Sequence, residues 1–463
     1  MRTFSLQFQR PIAGCVGSWS RRVLGRAELG DMRLVRRGIA VLAAWARNPG
    51  VSLAEACGTR AQAKAAYSFV ANPSVTVQAL KEAVYSDGAE QCAQHGRVFV
   101  AQDTTSLEYG HREEIEGLGP VTTSGAQGLL IHSSLAVSED GAPIALLDQQ
   151  IWTRPQETPE TSSPRSIEDK ESAKWLRGMQ AAAARLPENT HPIFIFDREG
   201  DIHEVFAKSH QLGVGLIVRA AWNRRIQEPE RNLFTAARAA PVAMTYSLTV
   251  PRRSGYQPRR ETTMELRYTK VTLNPRKSKH PTREPLGLNV VLATERTPEE
   301  GGKLLEWCLV TTEPVADAEA ALAVVRAYSY RWRVEEFHLV LKSGCRIEAH
   351  QFDSGERIEK IVVLLSAVAL LILSLTYLAR VEPDAPATRV LDQRSEEVLR
   401  AWANATQSKR FTGPLTLGQA VALLGRMGGH MGRKCDGPVG VRTLWRGWHD
   451  FQTMCHVAAL LAN

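Results

Sequence analysis

The run Pro192-Ile193-Phe194-Ile195-Phe196-Asp197-Arg198-Glu199-Gly200-Asp201 is a short apolar stretch closed by an acidic turn. A run of this length, rich in branched and aromatic side chains, predicts a strand buried on both faces, as in sheets covered by helices. Asp197 would then emerge from the sheet edge into a cleft. Helical periodicity around 171–186 and 202–210, with a strand at 215–219, completes an α/β alternation. Upstream, 98–101, 129–137 and 144–151 are rich in branched residues, are bounded by Gly, Pro or Asp, and predict an antiparallel meander. Asp103 follows the first of these strands, after Val98-Phe99-Val100-Ala101-Gln102, in a place comparable to that of Asp197. Taken singly, each acid reads first as a helix cap or turn former. Together they suggest a site, since strand carboxylates joined by one from a helix can bind hard cations such as Mg²⁺.

Downstream, 317–343 reads as one long helix. On it Tyr328, Arg331, Glu335 and Lys342 stand at offsets 0, 3, 7 and 14. At about 100° per residue these fall near 0°, 300°, 340° and 320°, a sector about 60° wide. Val334, Phe337, Val340 and Leu341 fall between about 120° and 240°, so the apolar stripe faces the other way. Arg331 and Glu335 alone could be an ordinary ion pair on a solvated face. A tyrosine and a lysine on the same stripe are less readily explained so. Glu335 therefore joins Asp103 and Asp197 as a candidate ligand of a pair of Mg²⁺ ions, with Mn²⁺ as the alternative. A phosphodiester repels nucleophiles, and two such ions roughly 3.5 to 4 Å apart would neutralise it and activate a water or hydroxyl. Arg331 and Lys342 would then hold flanking phosphates, the first as a bidentate fork and the second as a point charge.

The flanks differ from this middle. The first 92 residues read as short helices punctuated by Pro49 and Pro73, one of them basic, with Arg33, Arg36 and Arg37 after Leu29-Gly30-Asp31. Such a cluster can grip DNA or can be merely a solvated face. Residues from about 220 to 312 break the alternation with a Pro- and Arg-rich stretch and strand-like runs at 244–250 and 288–293, which predicts an inserted β subdomain. Further short helices follow from about 395. The expected domains are 1–92, 93–380 with its insertion at about 220–312, and 381–463.

With 463 residues, 44% of them hydrophobic and 23% charged, the chain suits a folded protein of two or more domains with no long disordered tail. Its formal net charge is +8. The window 252–283 holds ten Lys or Arg (252, 253, 259, 260, 267, 270, 276, 277, 279, 283) against Glu261 and Glu265, so this one window carries the whole excess. That is either a nucleic-acid surface or a solvated basic loop. Seven dispersed cysteines (15, 57, 92, 308, 345, 435, 455) include no Cys-x-x-Cys pair and point to a reducing cytosol. The N-terminus has no apolar run of signal-peptide length. Residues 361–379 carry no charge, but Ser366, Ser374, Thr376 and Tyr377 dilute them, and a single such stretch predicts a buried core helix and no role at a membrane.

Tyr328-x2-Arg331-x3-Glu335-x6-Lys342, inside Tyr330-Arg331-Trp332-Arg333-Val334-Glu335-Glu336-Phe337-His338, resembles the signature of the insertion-sequence-four family of bacterial DDE transposases. Leu29-Gly30-Asp31, Ala66-Tyr67, Asp103-Thr104-Thr105-Ser106-Leu107, Glu171-Ser172, Lys174-Trp175, Asp197-Arg198-Glu199 and Trp445-x2-Trp448 resemble further landmarks of that family, in order, over nearly the whole chain. The resemblance implies an RNase H-like catalytic core interrupted by the β insertion, N-terminal helices that recognise transposon ends, and C-terminal helices that form a homodimer. It implies a catalytic and metal-binding triad of Asp103, Asp197 and Glu335, with two metal ions per site. Tyr328, Arg331, Lys342, Arg219 and Arg37 would contact double-stranded DNA of the ends and target. Trp307 would stack on a flipped base, although its residue type and place suit a strand core equally. The activity implied is cut-and-paste transposition, namely hydrolysis at the transposon end, hairpin formation and strand transfer, in a bacterial cytoplasm. Two alternatives stand beside it: a nuclease of the same fold that joins nothing, and a DNA-binding regulator that has lost catalysis.

Overall fold

The computed structural model describes residues 16–110, 115–122, 124–155, 167–250, 260–274, 284–297, 304–407, 410–433 and 436–461. Five helices come first: α1 (Val16–Leu24), α2 (Met32–Arg47), α3 (Leu53–Cys57), α4 (Arg60–Ala71) and α5 (Val77–Cys92). Strands β1 (Arg97–Glu108), β2 (Gly119–Pro120), β3 (Gln127–Val137) and β4 (Pro143–Trp152) follow. The alternation read from the sequence comes next, as α6 (Ala173–Arg185), β5 (His191–Phe196), α7 (His203–Leu212), β6 (Gly215–Arg219) and α8 (Leu233–Ala239). After β7 (Val242–Val250), β8 (Arg260–Leu273), β9 (Leu286–Glu295) and β10 (Glu306–Thr311), the chain is helical again. These last helices are α9 (Ala318–Ser329), α10 (Trp332–Leu339), α11 (Gly355–Val381), α12 (Gln393–Thr406), α13 (Leu417–Met427) and α14 (Val441–Leu461).

The chain forms two compact units. The first comprises 1–92, 104–159 and 334–463, and the second 93–103 and 160–333. In the second, the strand order is β1-β5-β6-β10-β9-β8-β7. β1 pairs with β5 and β5 with β6 in parallel, whereas β10 pairs with β6 antiparallel. The strands between 242 and 311 thus continue the same sheet, through antiparallel pairs β10-β9, β9-β8 and β8-β7. Phe194, Ile195 and Phe196 are fully buried, and Trp175 of α6 lies 4.8 Å from the Phe196 ring. Of the basic window at 252–283, only Arg260, Arg267 and Lys270 fall among the described residues. Arg260 pairs with the buried Glu295 and Arg267 with Glu265 at 2.9 Å.

In the first unit α11 is the central element. It packs against α2, α4, α5, α13, α14 and β4, and nearly all of it is buried, as the uncharged run at 361–379 predicts. Its polar groups are matched inside the unit. Lys360 Nζ donates to Val70 O at 3.1 Å and pairs with Glu356 at 2.9 Å, and Ser374 Oγ donates to Pro143 O at 2.9 Å. Beside it β3 and β4 form an antiparallel pair, with every residue of β3 buried.

The single helix expected over 317–343 is instead three pieces. Asp317 caps α9 by accepting from Ala320 N at 2.8 Å. At its end, Arg331 N donates to Tyr328 O and Arg333 N to Tyr330 O, a tightened turn of i, i+3 bonds that resets the helical phase before α10. Beyond α10 the chain widens into a π-turn over Val340–Gly344, closed by Cys345 N donating to Val340 O at 2.7 Å. Gly344 is required there, because a Cβ would stand 2.9 Å from the Trp445 ring.

Candidate active site

In the second unit the ladder between β1 and β5 aligns Ala101 with Ile195. Asp103 and Asp197 each lie two residues beyond that last pair: Asp197 just past the end of β5, and Asp103 not after its strand, as the sequence predicts, but inside β1, which runs on to Glu108. Neighbouring strands lie about 4.8 Å apart, so a continuation of this register would bring the two residues close together. Asp197 is also the turn former that its type allows: its Oδ1 accepts from Glu199 N at 2.8 Å and caps a short 3₁₀ turn. The same turn is tied to α6, where the buried Lys174 reaches Glu199 at 3.4 Å and Glu171 at 3.9 Å.

Arg219 ends β6, the next strand, whose Val218 pairs with Phe196. Its guanidinium meets the Tyr328 hydroxyl and donates to Glu306 O at 3.0 Å. Tyr328 is buried, and burial raises its pKa despite the opposing pull of the Arg331 and Arg219 guanidiniums, while the nearby Asp197 charge adds to the rise. The same burial lowers the pKa of Arg219. Arg331 lies 6.0 Å over the Tyr328 ring, and the Trp307 ring meets Tyr328 edge-on at 6.0 Å. Trp307 is half-buried on β10, so it is neither a fully buried core residue nor a fully exposed one. Six predicted residues, Asp103, Asp197, Arg219, Trp307, Tyr328 and Arg331, thus gather at one end of this sheet. Tyr328 differs from the sequence expectation in being buried, because the turn at Tyr330–Arg331 breaks the shared helical face.

The other three predicted residues belong to the first unit. Glu335 is half-buried in the first turn of α10, between the fully buried Val334 and Phe337. One turn on, His338 Nε2 lies 3.1 Å from Ser133 Oγ, which also accepts from Gln149 Nε2 at 3.1 Å. Burial, followed by the Lys342 charge, pulls the His338 pKa down to about 3, so the imidazole is neutral. Lys342 Nζ donates to Ser106 O at 2.9 Å and pairs with Glu348 at 3.0 Å. Arg37 is exposed on α2 and, with Arg33 and Lys64, lines an open groove of about 490 Å³ between α2 and α4. Sequence reasoning passed over His338 as a buried neutral group. It also passed over Asp201, a buried acid whose only sequence signal is its place four residues after Asp197.

Among the described residues no three His, Cys, Asp or Glu side chains are gathered closely enough to hold a metal ion. The second unit offers two hard oxygen donors from adjacent strands, a set that suits Mg²⁺ or Mn²⁺ and not a soft thiophilic metal.

Comparison with known families bears on both units. Residues 16–75 match the family described as Transposase DNA-binding, and residues 159–372 match Transposase DDE domain. The chain therefore carries a DNA-binding domain and the domain of a nuclease or transposase enzyme. Together the matches support a place among the DDE transposases, whose catalytic domains generally use divalent metals. The second match takes in Asp197 and Glu335, whereas Asp103 lies before it.

Proposed function

We propose that this protein is a cut-and-paste transposase of the insertion-sequence-four family, most similar to the transposase of transposon five, with an RNase H-like core. The observation that carries this reading is that Asp103 and Asp197 each stand two residues beyond the last pair of two neighbouring parallel strands, at the sheet end that also bears Arg219, Trp307, Tyr328 and Arg331. Asp103, Asp197 and Glu335 would hold two Mg²⁺ ions, with Mn²⁺ as a substitute. Such ions, when bound, neutralise the phosphate and make a water or 3′-hydroxyl nucleophilic at neutral pH.

The chain's own groups do the rest. Arg331 would clamp a phosphate next to the cut, and Tyr328, buried between two guanidiniums, holds both in place. Lys342 would exchange Glu348 for a second phosphate. Trp307 would stack on the base displaced when the freed 3′-hydroxyl attacks the opposite strand to form a hairpin. Opening of the hairpin and attack on target DNA complete the transfer. Arg37 and its groove would grip the transposon end, and two subunits paired through the C-terminal helices of 381–463 would bridge two ends in the bacterial cytoplasm, at the nucleoid. Residues 1–92 would serve as the end-binding domain and 93–380 as the catalytic domain.

Purified protein, Mg²⁺ and DNA ending in the candidate terminal repeats test this directly. Hairpin ends followed by joined products are expected. Nicked DNA that is never joined would instead identify a nuclease, and binding without cutting a regulator.

A further inference from the structure

Asp201 is almost wholly buried at the end of the acidic turn, and its carboxylate is spent on one loop. Oδ2 accepts from the backbone N–H of Ala221 at 2.8 Å and of Trp222 at 3.0 Å, and Oδ1 accepts from Arg224 Nε at 2.8 Å. A buried, fully paired carboxylate is costly to disrupt, so these bonds hold the loop after β6 in a defined shape. The loop holds up an indole. Trp222 is 61% exposed, whereas Trp45, Trp175 and Trp448 are fully buried.

Its position narrows what the indole can meet. Ala220 N donates to Cys308 O at 2.8 Å, so the loop leaves the sheet alongside β10, next to Trp307. Arg219, three residues before Trp222, follows the Val218–Phe196 pair and so neighbours Asp197. Arg225 and Arg231, on the same loop, are exposed. An exposed aromatic plate on a loop that also carries exposed guanidiniums, at the carboxyl ends of parallel strands, suits a nucleotide: the base stacks and the phosphates pair.

We propose that Trp222 is a base-stacking residue, which receives an unpaired nucleobase of DNA beside the strand ends of β5 and β6. This rests on the reading above, in which DNA is brought to that end of the sheet. Any base presents a π face, so the contact favours unpaired over paired nucleotides without reading sequence. Arg225 and Arg231 would hold the adjoining phosphates.

The test uses the full chain and DNA ends carrying 2-aminopurine as an unpaired nucleotide next to the candidate cut. Quenching of its fluorescence is expected with the wild type and with Trp222→Phe, and not with Trp222→Ala. Affinity of Trp222→Ala for the unpaired end should fall about tenfold, with less than about twofold change for a blunt, fully paired duplex. Unchanged quenching in Trp222→Ala, or an equal loss on both DNAs, overturns the proposal. Cutting by the wild type in Mg²⁺, measured in parallel, separates the two readings. If the wild type cuts while Trp222→Ala behaves as wild type, stacking alone fails, whereas a wild type that neither cuts nor binds ends removes the transposase reading itself.

Discussion

Asp103 and Asp197 owe their neighbourhood to backbone hydrogen bonds, whereas Glu335 owes its aim to side-chain packing. Both aspartates stand two residues beyond a ladder that runs in register from Arg97 and His191 to Ala101 and Ile195, one inside β1 and one just past β5, so backbone pairing sets where they fall. Glu335 stands on a helix of eight residues, with a tightened turn before it and a π-turn after it. A helix so short has little stability of its own and takes its orientation from what it buries. Here that is Val334, Phe337 and the hydrogen bond between His338 and Ser133. Packing changes near the strands should therefore alter stability and spare chemistry, and packing changes under α10 should alter both.

The largest effect expected is from the carboxylates themselves. Asp197→Asn keeps the shape and the cap to Glu199 but removes a negative oxygen donor. Cutting should fall by about 10⁴-fold with the melting temperature nearly unchanged, as gel assays and calorimetry would show. Next is Phe337→Ala, which opens a cavity beneath Glu335. A loss of about 3–5 kcal/mol in denaturant unfolding is expected, together with weaker cutting by the remaining folded protein. Ser133→Ala strips His338 Nε2 of its partner and should cost about 1–3 kcal/mol.

The same histidine makes stability depend on pH. Its folded pKa is about 3 against an ordinary 6.5, so between these values the unfolded chain binds a proton that the folded chain does not. The folded state should thus lose stability as pH falls from 6.5 toward 3, and His338→Gln should flatten that part of the curve. Smallest is Ile195→Val, in the strand beside the aspartates. It should cost about 0.5–1.5 kcal/mol and leave the cutting rate per folded molecule as it was. A large loss of cutting in that variant would break the contrast between ladder and helix.

Much of this was legible in the sequence, for reasons that differ by residue. The apolar run ending at Asp197 announces β5 because a strand buried on both faces needs no partner to be recognised. The uncharged run at 361–379 likewise announces a core helix. The register that aligns β1 with β5 two residues before Asp103 and Asp197 is not legible, since register between strands that are distant in sequence leaves no periodic trace. The break at Tyr330–Arg331 lacks a Pro or Gly to mark it, and the π-turn depends on Gly344 meeting Trp445, a tertiary contact. Helical periodicity alone therefore sets Tyr328 on a shared face, although it is buried against Arg219. Trp222 is silent in the sequence for the opposite reason. Its signal is an indole amid Asn223, Arg224 and Arg225, which breaks apolar periodicity and so looks like loop.

Iron-directed cleavage of the protein backbone tests most directly whether Asp103, Asp197 and Glu335 share bound metal. Fe²⁺ taking the place of Mg²⁺, with ascorbate and peroxide, cuts the chain near the residues that hold it. Three clusters of cuts are expected, around 103, 197 and 335, all suppressed by excess Mg²⁺ and lost in Asp197→Asn. Cuts around 103 and 197 with none around 335, or cuts that Mg²⁺ leaves untouched, would contradict a shared three-carboxylate site.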